Sequence, residues 1–118
     1  MDLDLIRSKS YAKINLSLEL LNKRNDGFHN ILSIMQTISL HDDISVGLSD
    51  EITIDTNVES LKSEDNLIYI AAKRMQDQFN IDQGVHIELI KNIPLASGLG
   101  GGSSNAATVI MLLKKLWK

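Results

Sequence analysis

The chain has 118 residues, 43% hydrophobic and 23% charged, with a formal net charge of −3. That is one domain at most, with apolar content enough for a core, and its acidic balance argues against a nucleic-acid-binding face. With no Cys a disulfide scaffold, a zinc–thiolate site and a cysteine nucleophile are excluded, and no apolar run approaches the roughly 18 residues that cross a bilayer.

The acidic start Met1-Asp2-Leu3-Asp4 lacks the basic region of a secretory signal and the Arg of a transit peptide, so the expected location is cytoplasmic. From Ala12 to Leu21 the residues alternate, with Ile14, Leu16, Leu18 and Leu20 on one face and Lys13, Asn15, Ser17 and Glu19 on the other. Period two predicts a half-buried strand. Asn22 to Gly27 is polar and holds the turn signal Asp26-Gly27. A second alternating run places Leu32, Ile34, Ile38 and Leu40 on one face, interrupted at Gln36. Two shorter runs, Ile44/Val46/Leu48 and Ile52/Ile54, flank Ser49-Asp50-Glu51 and suggest a hairpin.

Helical spacing begins at Ile68 and continues through Ala71, Ala72, Met75 and Phe79, with Asp65 or Asn66 as the cap. Gly84 ends the connection, and Val85, Ile87 and Leu89 alternate as a strand. A last helix shows Ala106, Ile110, Leu113 and Trp117 on one face, with Lys114, Lys115 and Lys118 at the negative end of its dipole. The pattern predicts an α+β fold, mostly antiparallel sheet with helices packed on one face. No internal repeat or Pro- or Ser-rich linker divides it.

Between that strand and that helix stands Ile93-Pro94-Leu95-Ala96-Ser97-Gly98-Leu99-Gly100-Gly101-Gly102-Ser103-Ser104-Asn105, which holds four of the seven glycines. A helix N-terminus presents unpaired N–H groups and partial positive charge, and glycines let backbone approach a phosphate closely. Ser103 and Ser104 can cap the helix, hold a phosphate oxygen or hold a metal ion. The segment is not a Walker A loop, since it has no Gly-Lys-Ser/Thr. As a dinucleotide fingerprint it fails at Ser103, where the third Gly belongs. The bland alternative is a flexible strand-to-helix turn, which so many small residues at a helix start disfavour.

Other candidates are weaker alone. Lys13 and Asn15 share a strand face, and a lone Lys on a strand is ordinarily a solvated surface group. Phe28-His29 follows a turn, and an aromatic docking a loop explains it as well as a site does. His41-Asp42-Asp43 suggests a metal, but three polar residues between strands are more often a turn, and adjacent strand residues point to opposite faces. His86 alternates with apolar neighbours and receives no role.

Taken in order, Ala12-Lys13-Ile14-Asn15-Leu16, Asp26-Gly27-Phe28-His29, Met35-Gln36-Thr37-Ile38, Glu64-Asp65-Asn66-Leu67-Ile68 and the glycine loop through Asn105-Ala106-Ala107 resemble one family. The chain is similar, from Tyr11 onward, to the 4-diphosphocytidyl-2-C-methyl-D-erythritol kinases of the GHMP kinase superfamily. The glycine loop alone indicates the superfamily, and the Lys13 and Phe28-His29 motifs point to this member. The resemblance implies phosphoryl transfer from ATP, with Mg²⁺, to the 2-hydroxyl of a cytidine diphosphate-linked methylerythritol, in the non-mevalonate isoprenoid route. It implies that Pro94 to Ser104 wrap the ATP phosphates and that Lys13 is the catalytic lysine. It places Asn15, Phe28 and His29 at the substrate, with Phe28 stacking on the cytosine, and makes Ser104 a possible metal ligand. It implies no nucleic-acid or membrane partner. The alternatives are another small-molecule kinase of the superfamily and a non-catalytic binding domain of the same fold.

Phe28 stands where that family commonly has Tyr, and Ala96-Ser97 replaces a Gly-Gly or Gly-Ala pair. The family is also well over twice as long. Residues 1–118 are therefore expected to be its N-terminal, ATP-binding domain, with the C-terminal domain and the Gly-Ala-Asp-Val-Pro segment that holds the catalytic aspartate absent. The further expectations are exposed apolar surface, inactivity of these residues alone, and a partner in the remainder of the kinase chain or a complementing chain.

Overall fold

The computed structural model describes residues 5–117, and within them every side chain but those of Leu18, Glu19, Leu20, His29 and Ile31. The elements in chain order are β1 (Ile6–Lys23), β2 (His29–Ser49), β3 (Ile52–Thr56), a 3₁₀ turn (Glu59–Leu61), α1 (Leu67–Gln78), β4 (Gly84–Ile90) and α2 (Gly101–Trp117). They form one four-stranded sheet in the order β1-β2-β4-β3. The β1–β2 and β2–β4 pairs are antiparallel and β3–β4 is parallel. The expected α+β architecture is present, and both helices pack on one face of the sheet.

Three local expectations are corrected. The Ile52/Ile54 run does not form a hairpin with Ile44–Leu48. Instead β3 pairs in parallel with β4, Ile52 opposite Val85 and Thr56 opposite Leu89, after a crossover through α1. Alternation identifies a strand's faces, not its neighbours. β4 takes the interior place because Val85, Ile87 and Leu89 are fully buried and both its edges are paired. Secondly, the two runs of β2 are one strand, and His41-Asp42-Asp43 is not a turn: it pairs in register with Tyr11, Ser10 and Lys9. Thirdly, α2 buries Asn105, Val109, Leu112, Leu113 and Trp117, while Ile110 is exposed, so the inward face is turned from the expected Ala106/Ile110 stripe.

The core forms where α1 and α2 lie on the sheet. Ile68 and Ala72 of α1 meet Val109, Leu112, Leu113 and Trp117 of α2 over Ile44, Val46, Val85, Ile87 and Leu89. Asn66 is the N-cap of α1, its side chain accepting from the Ile68 N–H. At the other end Phe79 is the C-cap and is exposed, not part of the buried stripe, and Asn80 follows at φ 53°. Lys114 and Lys115 lie in the last turn of α2; Lys118 is outside the described residues.

The β1–β2 hairpin runs out beyond the helices. The radius of gyration of the chain, 16.4 Å, accordingly exceeds the about 13.5 Å typical of a compact chain of this length. Leu16, Leu32, Ile34 and Met35 on the hairpin arms are exposed, as is Phe28 at the hairpin turn. The half-buried face expected of β1 is therefore not covered at Leu16; Leu18 and Leu20 lie outside the described side chains. Among the described residues, no helix is long and apolar enough to cross a membrane.

Candidate active site

β4 ends at Ile90, and the chain turns through Lys91–Gly100 into α2. Three residues of this loop take positive φ: Ala96 (54°), Gly98 (76°) and Gly100 (74°). Glycine makes that conformation free of strain at the last two. Gly101 to Ser104 form the first turn of α2 and do not precede it, so Ser103 and Ser104 are not its cap. The Ser104 N–H already donates to the Gly100 carbonyl at 2.9 Å. Among the described residues, the N–H groups of Gly101, Gly102 and Ser103 have no such partner, as the geometry of a helix start requires. They are a set of donors suited to an anion.

Lys13 closes this loop onto β1. Its backbone N–H donates to the Leu99 carbonyl at 2.9 Å, and its ammonium donates to the Gly98 carbonyl at 2.9 Å. A Cβ on Gly100 would stand 3.1 Å from Cγ and Cε of Lys13, so loop and lysine are in close contact. Strand β1 thus brings a cation onto the loop that leads into α2.

Below the loop lies a buried polar network. The Asp42 carboxylate accepts from the Lys91 ammonium at 2.6 Å and from the Asn105 amide at 2.9 Å through Oδ2. Through Oδ1 it accepts from the backbone N–H groups of Asn92 at 2.6 Å and Ile93 at 2.8 Å. Asn105 also donates to the Ser10 hydroxyl, which is 2.9 Å from the Ser104 hydroxyl. Asp42 and Ser10 have no exposed surface. Burial alone would push the Asp42 carboxyl up, but the bonds from Lys91, Ile93, Asn105 and Asn92 outweigh it and hold it below the usual carboxylate range. Sequence reading missed this network. The signal was one of phase: Asp42 shares the inward parity of Ile44 and Val46, and Lys91 that of Val85, Ile87 and Leu89. With Asp43 opposite Ile90, the next residues along each strand are Asp42 and Lys91.

Two clefts flank the glycine loop. One, of about 410 Å³, runs between the loop and the segment that leads into α1. Of the expected phosphate-binding residues, Pro94 to Gly98 and Gly100 to Ser103 line it, facing Leu61, Asp65, Asn66 and Leu67. The other, of about 380 Å³, lies between β1 and α2 and holds Lys13, Ser104, Thr37 and Thr108. Arg7, Lys9 and Lys115 add positive charge there, and no carboxylate lines it among the described residues. Lys13 and the glycine loop are therefore brought together, with Leu99 and Ser104 turned from the first cleft.

Asn15 and Phe28 are not brought to the loop. Asn15 accepts from the Ser33 hydroxyl at 3.1 Å on the hairpin arm. Phe28 is 71% exposed at the hairpin turn, where its N–H donates to Asp26 at 3.0 Å and Gly27 takes φ 90°. His29 opens β2 beside it, opposite Lys23; its side chain lies outside the described residues. On the solvent side of the sheet, Asp55, His86 and Glu88 gather ligand atoms within 4.8 Å of one another. That group sits apart from the loop, and His86 is engaged with the Thr53 hydroxyl at 2.7 Å.

The GHMP kinases N terminal domain family model matches residues 66–118, from the cap of α1 through the glycine loop and α2. The chain is 48% identical over 113 residues to the 4-diphosphocytidyl-2-C-methyl-D-erythritol kinase of Caldanaerobacter subterraneus subsp. tengcongensis, covering 95% of this chain and 39% of that relative. It is 49% identical over 119 residues to the kinase of the same name from Clostridioides difficile, covering 98% of this chain and 40% of that one. The crystal structure of a 4-(cytidine 5'-diphospho)-2C-methyl-D-erythritol kinase superposes with a TM-score of 0.84 at 33% identity, over 95% of this chain and 41% of that chain. A homoserine kinase from Cytophaga hutchinsonii, at 23% identity and a TM-score of 0.65, shares the fold. The chain spans about two fifths of the length of the curated relatives it matches. By sequence over nearly its whole length and by fold, the chain is similar to the 4-diphosphocytidyl-2-C-methyl-D-erythritol kinases, and its residues 66–118 match the GHMP kinases N terminal domain.

Proposed function

We propose that these residues are the ATP-binding N-terminal domain of a cytoplasmic kinase that phosphorylates the 2-hydroxyl of 4-diphosphocytidyl-2-C-methyl-D-erythritol. The observation that carries this reading is the closure of the glycine loop at the start of α2 onto Lys13. Such a loop offers free N–H groups to the β- and γ-phosphates, with Gly100 allowing close approach. The cleft between the loop and the Asn66 end of α1 would take the nucleoside. The acceptor alcohol would enter from the cleft on the other side, where Lys13 stands among further cations.

In the reaction the acceptor oxygen forms a bond to the γ-phosphorus, the bond from that phosphorus to the β-bridging oxygen breaks, and ADP leaves. The hydroxyl proton passes to a base. No carboxylate among the described residues lines the cleft beside Lys13, so the base would come from the remainder of the kinase chain or from a complementing chain. Lys13 favours the developing alkoxide and offsets phosphate charge. Phosphoryl transfer depends chiefly on such positioning and charge stabilisation. Mg²⁺ would accompany the triphosphate and shield its charge, with the Ser104 hydroxyl as the ligand from this chain. Phe28 and His29 would hold the cytosine at the far end of an extended substrate, and Asn15 lies on the arm between them and Lys13.

The test is ADP release by the full-length protein with ATP and each of three acceptors: the cytidine-linked methylerythritol, homoserine and mevalonate. Turnover of the first alone, inhibited by cytidine diphosphate, is expected. Turnover of another acceptor would assign a different kinase of the superfamily, and no saturable ATP binding would assign a non-catalytic domain.

A further inference from the structure

Asp42, a carboxylate with no exposed surface, lies outside the direct contacts of the proposed reaction. We infer that Asp42 is a positioning residue of the glycine loop, a single carboxylate that holds both ends of the loop in register for the nucleotide. The inference rests on the nucleotide-binding reading of that loop.

The two oxygens of Asp42 act on different ends. Oδ1 takes the N–H groups of Asn92 and Ile93, where the chain leaves β4 and enters the loop. Oδ2 takes the amide of Asn105, in the second turn of α2, where the loop has already been left. Lys91 joins the two ends a second time, its ammonium donating to Asp42 and, at 3.0 Å, to Asn105, 14 positions further on. The ammonium also lies under the first turn of α2, where a Cβ on Gly101 would stand 3.1 Å from Nζ. Ser10 ties the same cluster to β1, three residues before Lys13.

Packing alone does not ask for this arrangement. A buried ion pair gives up the hydration of both charges, and apolar residues of similar volume are often as stabilising or more so. Apolar contacts are also nondirectional. Asp42 instead fixes the direction of two backbone N–H groups at the loop entry, and through Asn105 the azimuth of α2. The free N–H groups of Gly101, Gly102 and Ser103 are carried on that helix. A small rotation there would displace them from phosphate oxygens that need hydrogen-bond distance.

The experiment uses the full-length protein with two variants, Asp42→Asn combined with Lys91→Met, and Asn105→Ala. The double variant removes both charges together and leaves no unpaired buried ion. Asn105→Ala keeps the ion pair and cuts the bonds that α2 makes through this side chain to Asp42, Lys91 and Ser10. Thermal unfolding is measured beside kcat and the KM values for ATP and for the acceptor. Positioning predicts that the ATP KM rises at least about tenfold in the double variant and about threefold in Asn105→Ala, while the acceptor KM stays within twofold in both. An ATP KM within twofold of the parent in a folded variant would overturn the inference and reduce the network to a packing device. Should the double variant unfold, Asn105→Ala decides by the same criterion. A parent protein that binds no ATP would overturn the nucleotide reading itself, an outcome distinct from loss of the clamp alone.

Discussion

The Lys13 ammonium donates to the carbonyl oxygen of Gly98 at 2.9 Å, across 85 positions of chain. The same residue donates its backbone N–H to Leu99. The lysine is thus held by the loop it is proposed to serve, with its charge at the loop's edge. Lys13→Met keeps the backbone bond and removes the charge. The expected outcome is a fall in kcat of about 10²- to 10³-fold, the scale on which a single stabilising donor acts, with little change in melting temperature. Lys13→Arg is expected to restore little, since a planar guanidinium does not replace a compact ammonium. Steady-state kinetics and thermal melts of the full-length protein check both.

Gly100 takes φ 74°, and a Cβ there would stand 3.1 Å from Lys13 Cγ and Cε. Gly100→Val therefore meets two obstacles. The left-handed conformation costs roughly 1–2 kcal/mol for an ordinary residue, and a branched side chain suffers more. It also presses on the lysine stem. Nucleotide binding is expected to be lost while circular dichroism retains most of the secondary structure, because α2 begins only at Gly101. ATP affinity equal to the parent's would mean that the loop is a turn and no more.

Asn66 closes two hydrogen bonds at the start of α1. Its Oδ1 accepts from the Ile68 N–H at 2.9 Å, and its amide donates to the Leu61 carbonyl at 2.8 Å. Loss of an N-cap costs about 1 kcal/mol, so Asn66→Ala is expected to lower the unfolding free energy by about that amount. Asn66→Asp retains the cap acceptor and loses the donor to Leu61, and should recover part of the loss. Because Asn66 also lines the cleft beside the glycine loop, both variants should raise the ATP KM. Denaturant unfolding and ATP titration separate the two effects.

What the sequence made legible follows from what each signal encodes. Period two located β1 and β4, and the Asp26-Gly27 turn is where it was expected. Strand order was not legible, because Ile52 and Ile54 alternate identically whether the neighbour is β2 or β4. The inward face of α2 was read rightly at Leu113 and Trp117 and wrongly at Ala106 and Ile110, which are apolar like Val109, whereas Asn105, which is buried, reads as polar. Of the candidate residues, the glycine loop and Lys13 were singled out in the sequence and do meet. Asp42 and Lys91 were not, since each appears as an ordinary charge until the register of β2 and β4 sets them side by side. The exposed arm carrying Leu16, Leu32 and Ile34 shows the limit of a hydrophobic pattern. It specifies a face suited to burial and leaves open what covers it.

Acid should reach the protein through Asp42. The Asp42 carboxyl lies below its ordinary value in the folded state, because four hydrogen bonds, Lys91's foremost, outweigh the opposing effect of burial. A folded value lower than the unfolded one, about 3.9 for a free Asp, means that the unfolded chain binds the proton more readily. The group therefore stabilises the fold at pH values above the unfolded value, and that contribution is lost as the pH falls through the folded value. In the Asp42→Asn/Lys91→Met protein the contribution is absent at every pH. Unfolding free energies measured between pH 7 and pH 3 should thus be flat in difference between parent and double variant near neutrality. Toward the acid end the parent should lose stability faster than the double variant, so that the difference between the two curves shifts against the parent there. Curves that remain parallel to the lowest pH would mean that the Asp42 carboxyl titrates alike in the folded and unfolded chain, and that the ion pair with Lys91 is not what holds the loop entry.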